Sequence, residues 1–169
     1  ETEISLLVIH NISLPPGEYG GGYVQKLFTN DLDPNDHPYF SEIYDLKVYS
    51  HLLIERDGSL VQFVPFNKKA WHAGVSSFKG RENCNEFSIG IELEGTDENT
   101  YTEDQYHALI DITKELMLVF QDIKKENIVG HSDIAPGRKT DPGKAFDWHY
   151  YLSNLCLLYT SPSPRDTNE

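Results

Sequence analysis

The chain has 169 residues, enough for one domain with a sizeable core and too few for two comfortable ones. Its 27 acidic against 14 basic residues give a net charge of −13, which opposes binding to nucleic acid or to an anionic membrane surface. No run of about 18 apolar residues exists to span a bilayer, and Glu1-Thr2-Glu3-Ile4 lacks the basic flank of a signal peptide.

Residues 4 to 10 form a continuous apolar run, the pattern of a strand buried on both faces, and it delivers His10 and then Asn11 at its end. Pro15-Pro16-Gly17 and Gly20-Gly21-Gly22 break regular structure, and a short helix is predicted over Tyr23 to Phe28. Two apolar runs, Val48 to Ile54 and Leu60 to Val64, flank Asp57-Gly58, a strong hairpin signal that makes the sheet mixed in direction. A loop carrying Trp71-His72-Ala73-Gly74 and a polar spacer follow. The next strand, residues 88 to 94, alternates Ile89, Ile91 and Leu93 on one face with Glu92 and Glu94 on the other.

Thr102-Glu103-Asp104-Gln105 reads as a capping box. Behind it Tyr106, Leu109, Ile110, Leu116, Met117 and Phe120 recur at helical spacing to about residue 121, a core stripe. A short strand, Asn127 to His131, then presents a second histidine, and Phe146 to Leu155 is predicted to close the fold as a helix. The order of elements predicts an α/β domain, a mixed central sheet packed by helices, over residues 1–156. Residues 157–169, with two prolines and little apolar content, are expected to be a tail outside the fold. Cys84 and Cys156 form no metal-binding pair and read as buried thiols suited to a reducing compartment.

Composition cannot choose among seven histidines, but position can. His51 in a strand, His37 in a loop, His107 on a helix and His149 near the end have structural or exposed roles. His10 at a strand end, with His131 and Asp141 bounding a Pro- and Gly-rich loop, offers two imidazoles and a carboxylate, enough for catalytic zinc with one position left open. Glu92 is placed to handle protons; Glu94 on the same strand face is the alternative, and Gly90, which clears space beside Glu92 on that face, tilts the choice to Glu92. Lys139, next to Asp141 in that loop, can aim its ammonium at a developing oxyanion. Arg138 suits a substrate carboxylate; Asn11, directly after His10, suits a hydrogen bond to substrate, and Trp71 with His72 a wall against which a sugar stacks.

Together His10 through Gly17, Phe28-Thr29 with Asp33-Pro34, His37-Pro38-Tyr39-Phe40, Ala70 through Ser77, Phe87 through Asp97 and Gly130 through Gly143 resemble the zinc-dependent N-acetylmuramyl-L-alanine amidases, most closely their cytoplasmic AmpD-type branch. The resemblance covers roughly residues 4 to 155. It implies a peptidoglycan-recognition/amidase-like fold and a longer segment ahead of the first histidine than this chain has, so the N terminus reads as truncated. It further implies one Zn2+ held by His10, His131 and Asp141, with Glu92 and Lys139 as catalytic partners. The implied reaction is hydrolysis of the amide between the lactyl group of (1,6-anhydro-)N-acetylmuramic acid and L-alanine, during cell-wall recycling. A small anhydro-muropeptide is then the expected partner, with no nucleic acid and no membrane, for a cytoplasmic monomer. Two other readings stay open: a recognition module that binds without cutting, and a zinc peptidase or exported amidase attacking stem peptide or intact wall.

Overall fold

The computed structural model describes residues 3–160, with side chains through residue 155. The first strand, β1 (Leu6–Ile12), begins and ends two residues later than the apolar run suggests. Backbone pairing decides its end: His10, Asn11 and Ile12 still have partners in the neighbouring strand. After the first glycine-rich loop comes α1 (Tyr23–Phe28), the span expected. The hairpin forms from β2 (Leu52–Ile54) and β3 (Leu60–Gln62), shorter than predicted and leaving His51 just ahead of β2. Its turn needs Gly58, which sits at φ 87°, and a Cβ there would lie 2.9 Å from the Asp104 carbonyl oxygen.

The polar spacer folds into a small hairpin, β4 (Ser77–Phe78) and β5 (Arg81–Glu82), that periodicity gave no reason to expect. It precedes β6 (Ser88–Glu94), α2 (Glu103–Val119), β7 (Ile128–Gly130), α3 (His131–Ile134) and α4 (Trp148–Thr160). His131 is therefore the first residue of a short helix rather than the last of a strand. The closing helix continues through Thr160, past the boundary expected at 156, and the rest of the expected tail lies outside the described residues.

The main sheet has the order β3-β2-β6-β1-β7, parallel except for β3. One face, carrying Leu7, Ile9, Ile89, Ile91 and Leu93, packs under α2 and α4 against Leu109, Leu116, Met117 and Tyr151. Fully burying each such side chain contributes roughly 1.5–3 kcal/mol. The other face carries Leu6 and Val8 against Phe87, Ala73 and Ile134, and above them the polar residues His10, Ser88 and Glu92, with Gly90 between the last two. The helices thus seal one side and leave the carboxyl ends of β1 and β6 free on the other, where parallel sheets place their sites.

The capping box forms as the sequence predicts: Thr102 Oγ1 accepts from the Gln105 amide at 3.1 Å, and Gln105 Oε1 accepts from the Thr102 amide at 3.1 Å. Gln105 also donates its side-chain Nε2 to the carbonyls of Ile54 (3.2 Å) and Glu94 (2.9 Å), tying the start of α2 to the ends of β2 and β6. Thr102→Ala should cost about 1 kcal/mol of unfolding free energy, the usual value of a cap. Gln105→Ala should cost more, about 2–4 kcal/mol, because it also strands two buried carbonyls. Urea denaturation checks both, and equal losses in the two variants would contradict this account of the junction.

Candidate active site

The parallel register of β1 and β6 makes His10 and Glu92 direct Cα partners, and alternation turns both side chains to the face away from α2. His131 enters from the start of α3, and Asp141 from the loop beyond it. His10 Nδ1 and His131 Nδ1 lie 3.0 Å apart, and Asp141 Oδ2 is 3.3 Å from each. Among the described residues this is the only trio of His, Cys, Asp or Glu side chains arranged to hold a metal ion. Its edges are close to the ~3.3 Å edge of a tetrahedron whose centre lies ~2.0–2.1 Å from nitrogen and oxygen ligands, the spacing of a zinc site. His131 Nε2 lies 2.9 Å from the Ala73 carbonyl, which can only accept; the ring proton therefore sits on Nε2 and leaves a lone pair on Nδ1. The donor set fits zinc in chemistry as well as in size.

Electrostatics follow from burial. Burial pulls the Asp141 carboxyl upward, but hydrogen bonding and charge from His10 and His131 outweigh it and hold the group well below the usual carboxylate range. Burial pushes the Glu92 carboxyl well above that range, the Asp141 charge adds to the rise, and Lys139 pulls against both. Glu92 Oε1 is the one buried side-chain polar atom without a hydrogen-bond partner among the described residues, and its other oxygen lies 3.9 Å from His10 Nδ1. A buried carboxyl group of raised basicity, with one oxygen unpartnered and the His-His-Asp trio beside it, marks this as a candidate functional site.

Glu94 shares that strand face but is committed elsewhere. Its Oε2 accepts from the Gly20 amide at 2.7 Å and its Oε1 from the Arg56 amide at 3.2 Å, so it anchors the glycine-rich loop. Lys139 is exposed and its charge acts on Glu92 and His10.

The residues expected to touch substrate are dispersed. His72 is buried behind His10, with Nδ1 2.9 Å from His10 Nε2, and does not line an open wall. The space cleared by Gly90 is filled by that imidazole: a Cβ at position 90 would lie 2.5 Å from His72 Cγ. Asn11 spends its amide on Asp97 Oδ1 (2.8 Å), Tyr101 Oη (3.0 Å) and the Pro142 carbonyl (3.2 Å), fastening the loop that carries Asp141. Arg138 commits Nη2 to the carbonyls of Ala73 (2.7 Å) and Val75 (2.8 Å). Trp71 keeps about half its surface exposed, with Lys69 Nζ 3.9 Å over its ring.

His51 is a satisfied core residue, bonded to the Lys68 carbonyl and the Gly90 amide; His37 caps a 3-10 turn at Pro38–Glu42; His107 and His149 are exposed. Sequence reasoning missed Asn85, whose Oδ1 accepts from the amides of both His72 and Ala73 and so fixes that loop. It also missed Asp97, bound to Asn11 and to the Thr140 hydroxyl. Neither belongs to a periodic pattern, so no local signal marks them.

The N-acetylmuramoyl-L-alanine amidase family model matches residues 1–144. The 1,6-anhydro-N-acetylmuramyl-L-alanine amidase AmpD of Escherichia coli K12 is 61% identical over 144 residues, covering 85% of this chain and 78% of that protein. A crystal structure of a selenomethionine AmpD derivative superposes with a TM-score of 0.88 at 57% identity, covering 90% of this chain and 85% of that one. The amidase AmiD of E. coli, solved with the substrate anhydro-N-acetylmuramic acid-L-Ala-D-gamma-Glu-L-Lys, gives a TM-score of 0.65 at 32% identity over 89% of this chain and 57% of that one. With its fold, its His-His-Asp trio and a family match across most of its length, the chain belongs to the N-acetylmuramoyl-L-alanine amidases.

Proposed function

We propose that this chain is a zinc-dependent amidase that hydrolyses the bond between the lactyl carbonyl of 1,6-anhydro-N-acetylmuramic acid and L-alanine, releasing stem peptide in the cytoplasm during wall-fragment recycling. The observation that carries the reading is the trio of buried His10 and His131 with half-buried Asp141, and the unpartnered Oε1 of Glu92 one strand away. Similarity to AmpD, and to AmiD solved with an anhydro-muramyl peptide, supports the substrate class. The net charge of −13 disfavours the polyanionic wall itself. No helix among the described residues is long and apolar enough to cross a membrane. A monomer is the proposed form.

His10 Nδ1, His131 Nδ1 and Asp141 Oδ2 would hold the ion. When bound, zinc supplies Lewis acidity, polarising the scissile carbonyl and letting a water ionise near pH ~7. Glu92 takes a proton from the attacking water as oxygen adds to the carbonyl carbon. It returns that proton to the alanine nitrogen as the C–N bond breaks, so no covalent enzyme intermediate is needed. Lys139 places a positive charge near the oxygen on which negative charge develops. Trp71 offers an exposed aromatic face to the sugar. Asn11 and Arg138 act indirectly, by holding the loops that carry Asp141 and His72.

Asp141→Ala should weaken zinc binding by more than about 100-fold, beyond the 10–100-fold typical of losing an outer partner. Metal analysis after dialysis checks this, and tight stoichiometric zinc in the variant would remove Asp141 from the ligand set. Glu92→Ala and Lys139→Ala should retain zinc yet lose at least about 100-fold in turnover. Glu94→Gln should stay within a few-fold of the parent in turnover, and an equal loss there would transfer the proton role to Glu94.

For the substrate, mass spectrometry should show anhydro-muramyl peptides split into free peptide and anhydro-sugar, with stem-peptide bonds intact. Solubilisation of whole sacculi at a comparable rate would overturn the recycling assignment in favour of a lytic one.

A further inference from the structure

His72 is fully engaged in a buried chain of hydrogen bonds that ends at the proposed metal site. Its Nδ1 faces His10 Nε2 at 2.9 Å and its Nε2 faces Ser88 Oγ at 3.0 Å, with all three side chains buried. Such a chain has two self-consistent proton arrangements, because each neutral imidazole carries one N–H and one lone pair. In one, protons point toward His10: Ser88 donates to His72 Nε2, His72 Nδ1–H donates to His10 Nε2, and the His10 proton sits on Nδ1. In the other they point away: His10 Nε2–H donates to His72 Nδ1, and His72 Nε2–H donates to Ser88 Oγ. Only the second leaves a lone pair on His10 Nδ1, the atom that faces His131 and Asp141.

We propose that His72 is a positioning residue that sets the tautomer and ring orientation of His10 for metal binding, with Ser88 as the terminal acceptor of the chain. The inference rests on the reading of His10, His131 and Asp141 as zinc ligands. The backbone is shaped to this role. Asn85 Oδ1 holds the His72 and Ala73 amides at 3.0 and 2.8 Å, fixing the loop from which the ring descends. Position 90 has no Cβ because the imidazole occupies that volume, so Gly90 and Ser88 on one strand face supply the gap and the acceptor. A ligating imidazole whose second nitrogen has a fixed partner is held in orientation, and losing that partner weakens metal binding by about 10–100-fold.

The test uses zinc alone as the probe, titrated into metal-free protein against a competing chelator, with Asp141→Ala alongside. His72→Phe fills the site but removes the acceptor and should weaken zinc about 10–100-fold. His72→Asn, whose Oδ1 can take the place of Nδ1, should recover most of that loss. In the unmodified zinc-loaded protein, 15N NMR should show His10 and His72 both protonated at Nε2, a signature that mere space-filling by His72 would not produce. Unchanged zinc affinity in His72→Phe, or a His72 proton on Nδ1 in the zinc-loaded protein, overturns the proposal. Retention of zinc by Asp141→Ala instead overturns the ligand reading on which it rests, so the two failures are told apart. If His72→Phe does not fold, the NMR measurement on the parent protein still decides.

Discussion

The parallel pairing of β1 with β6 fixes the distance and direction between His10 and Glu92, and most of the site is arranged around that pair. Because side chains in a strand alternate, the register also decides what surrounds them: Ser88, Gly90, Glu92 and Glu94 project to one side while Ile89, Ile91 and Leu93 seal the other. A shift of one residue in β6 would turn the isoleucines to the site and bury the glutamates under α2. The apolar contacts with α2 and α4 therefore stabilise the domain and, in the same act, specify which residues face the chemistry.

Each polar residue on that face has different work. Ser88 meets His72, Gly90 makes room for it, Glu92 is left without a partner on one oxygen, and Glu94 anchors the glycine-rich loop. Burial raises the basicity of Glu92, whereas Asp141, also buried but hydrogen-bonded to two imidazoles, is held as a carboxylate. Two carboxyl groups beside the same imidazole are thus driven apart in proton affinity by their surroundings, the condition under which one can bind a cation and the other move a proton.

The loops that complete the site are held by side chains distant in sequence. Asn85 fixes the His72–Ala73 backbone, Arg138 binds the same loop from the opposite side, and Asn11, Asp97 and Tyr101 converge on the Asp141–Pro142 segment. The Ala73 carbonyl accepts from both Arg138 and His131, so one backbone oxygen links the two loops. Satisfying these buried polar groups with fixed partners holds the donor atoms of His10, His131 and Asp141 in a narrow range of positions, as preorganised sites require.

Periodicity and capping chemistry made much of this fold readable in advance. The continuous apolar run of β1, the alternation of β6, the Asp57-Gly58 turn and the Thr102–Gln105 box are local signals, carried by residues close in sequence. The ligand candidates were legible because strand ends and a Pro- and Gly-bounded loop are where side chains enter a site. Ring orientation and hydrogen-bond partners were not. Sequence placed His72, Asn11 and Arg138 near the substrate, and the structure gives their side chains partners 62, 131 and 65 residues away in the chain, within the protein itself. A histidine or asparagine carries the same donors and acceptors whether it meets a ligand or a neighbour, so sequence by itself determined the main elements and the chemical inventory. Which groups are used up internally, and which, like Glu92, remain free to act, only tertiary packing decided, because burial and long-range hydrogen bonds set those roles.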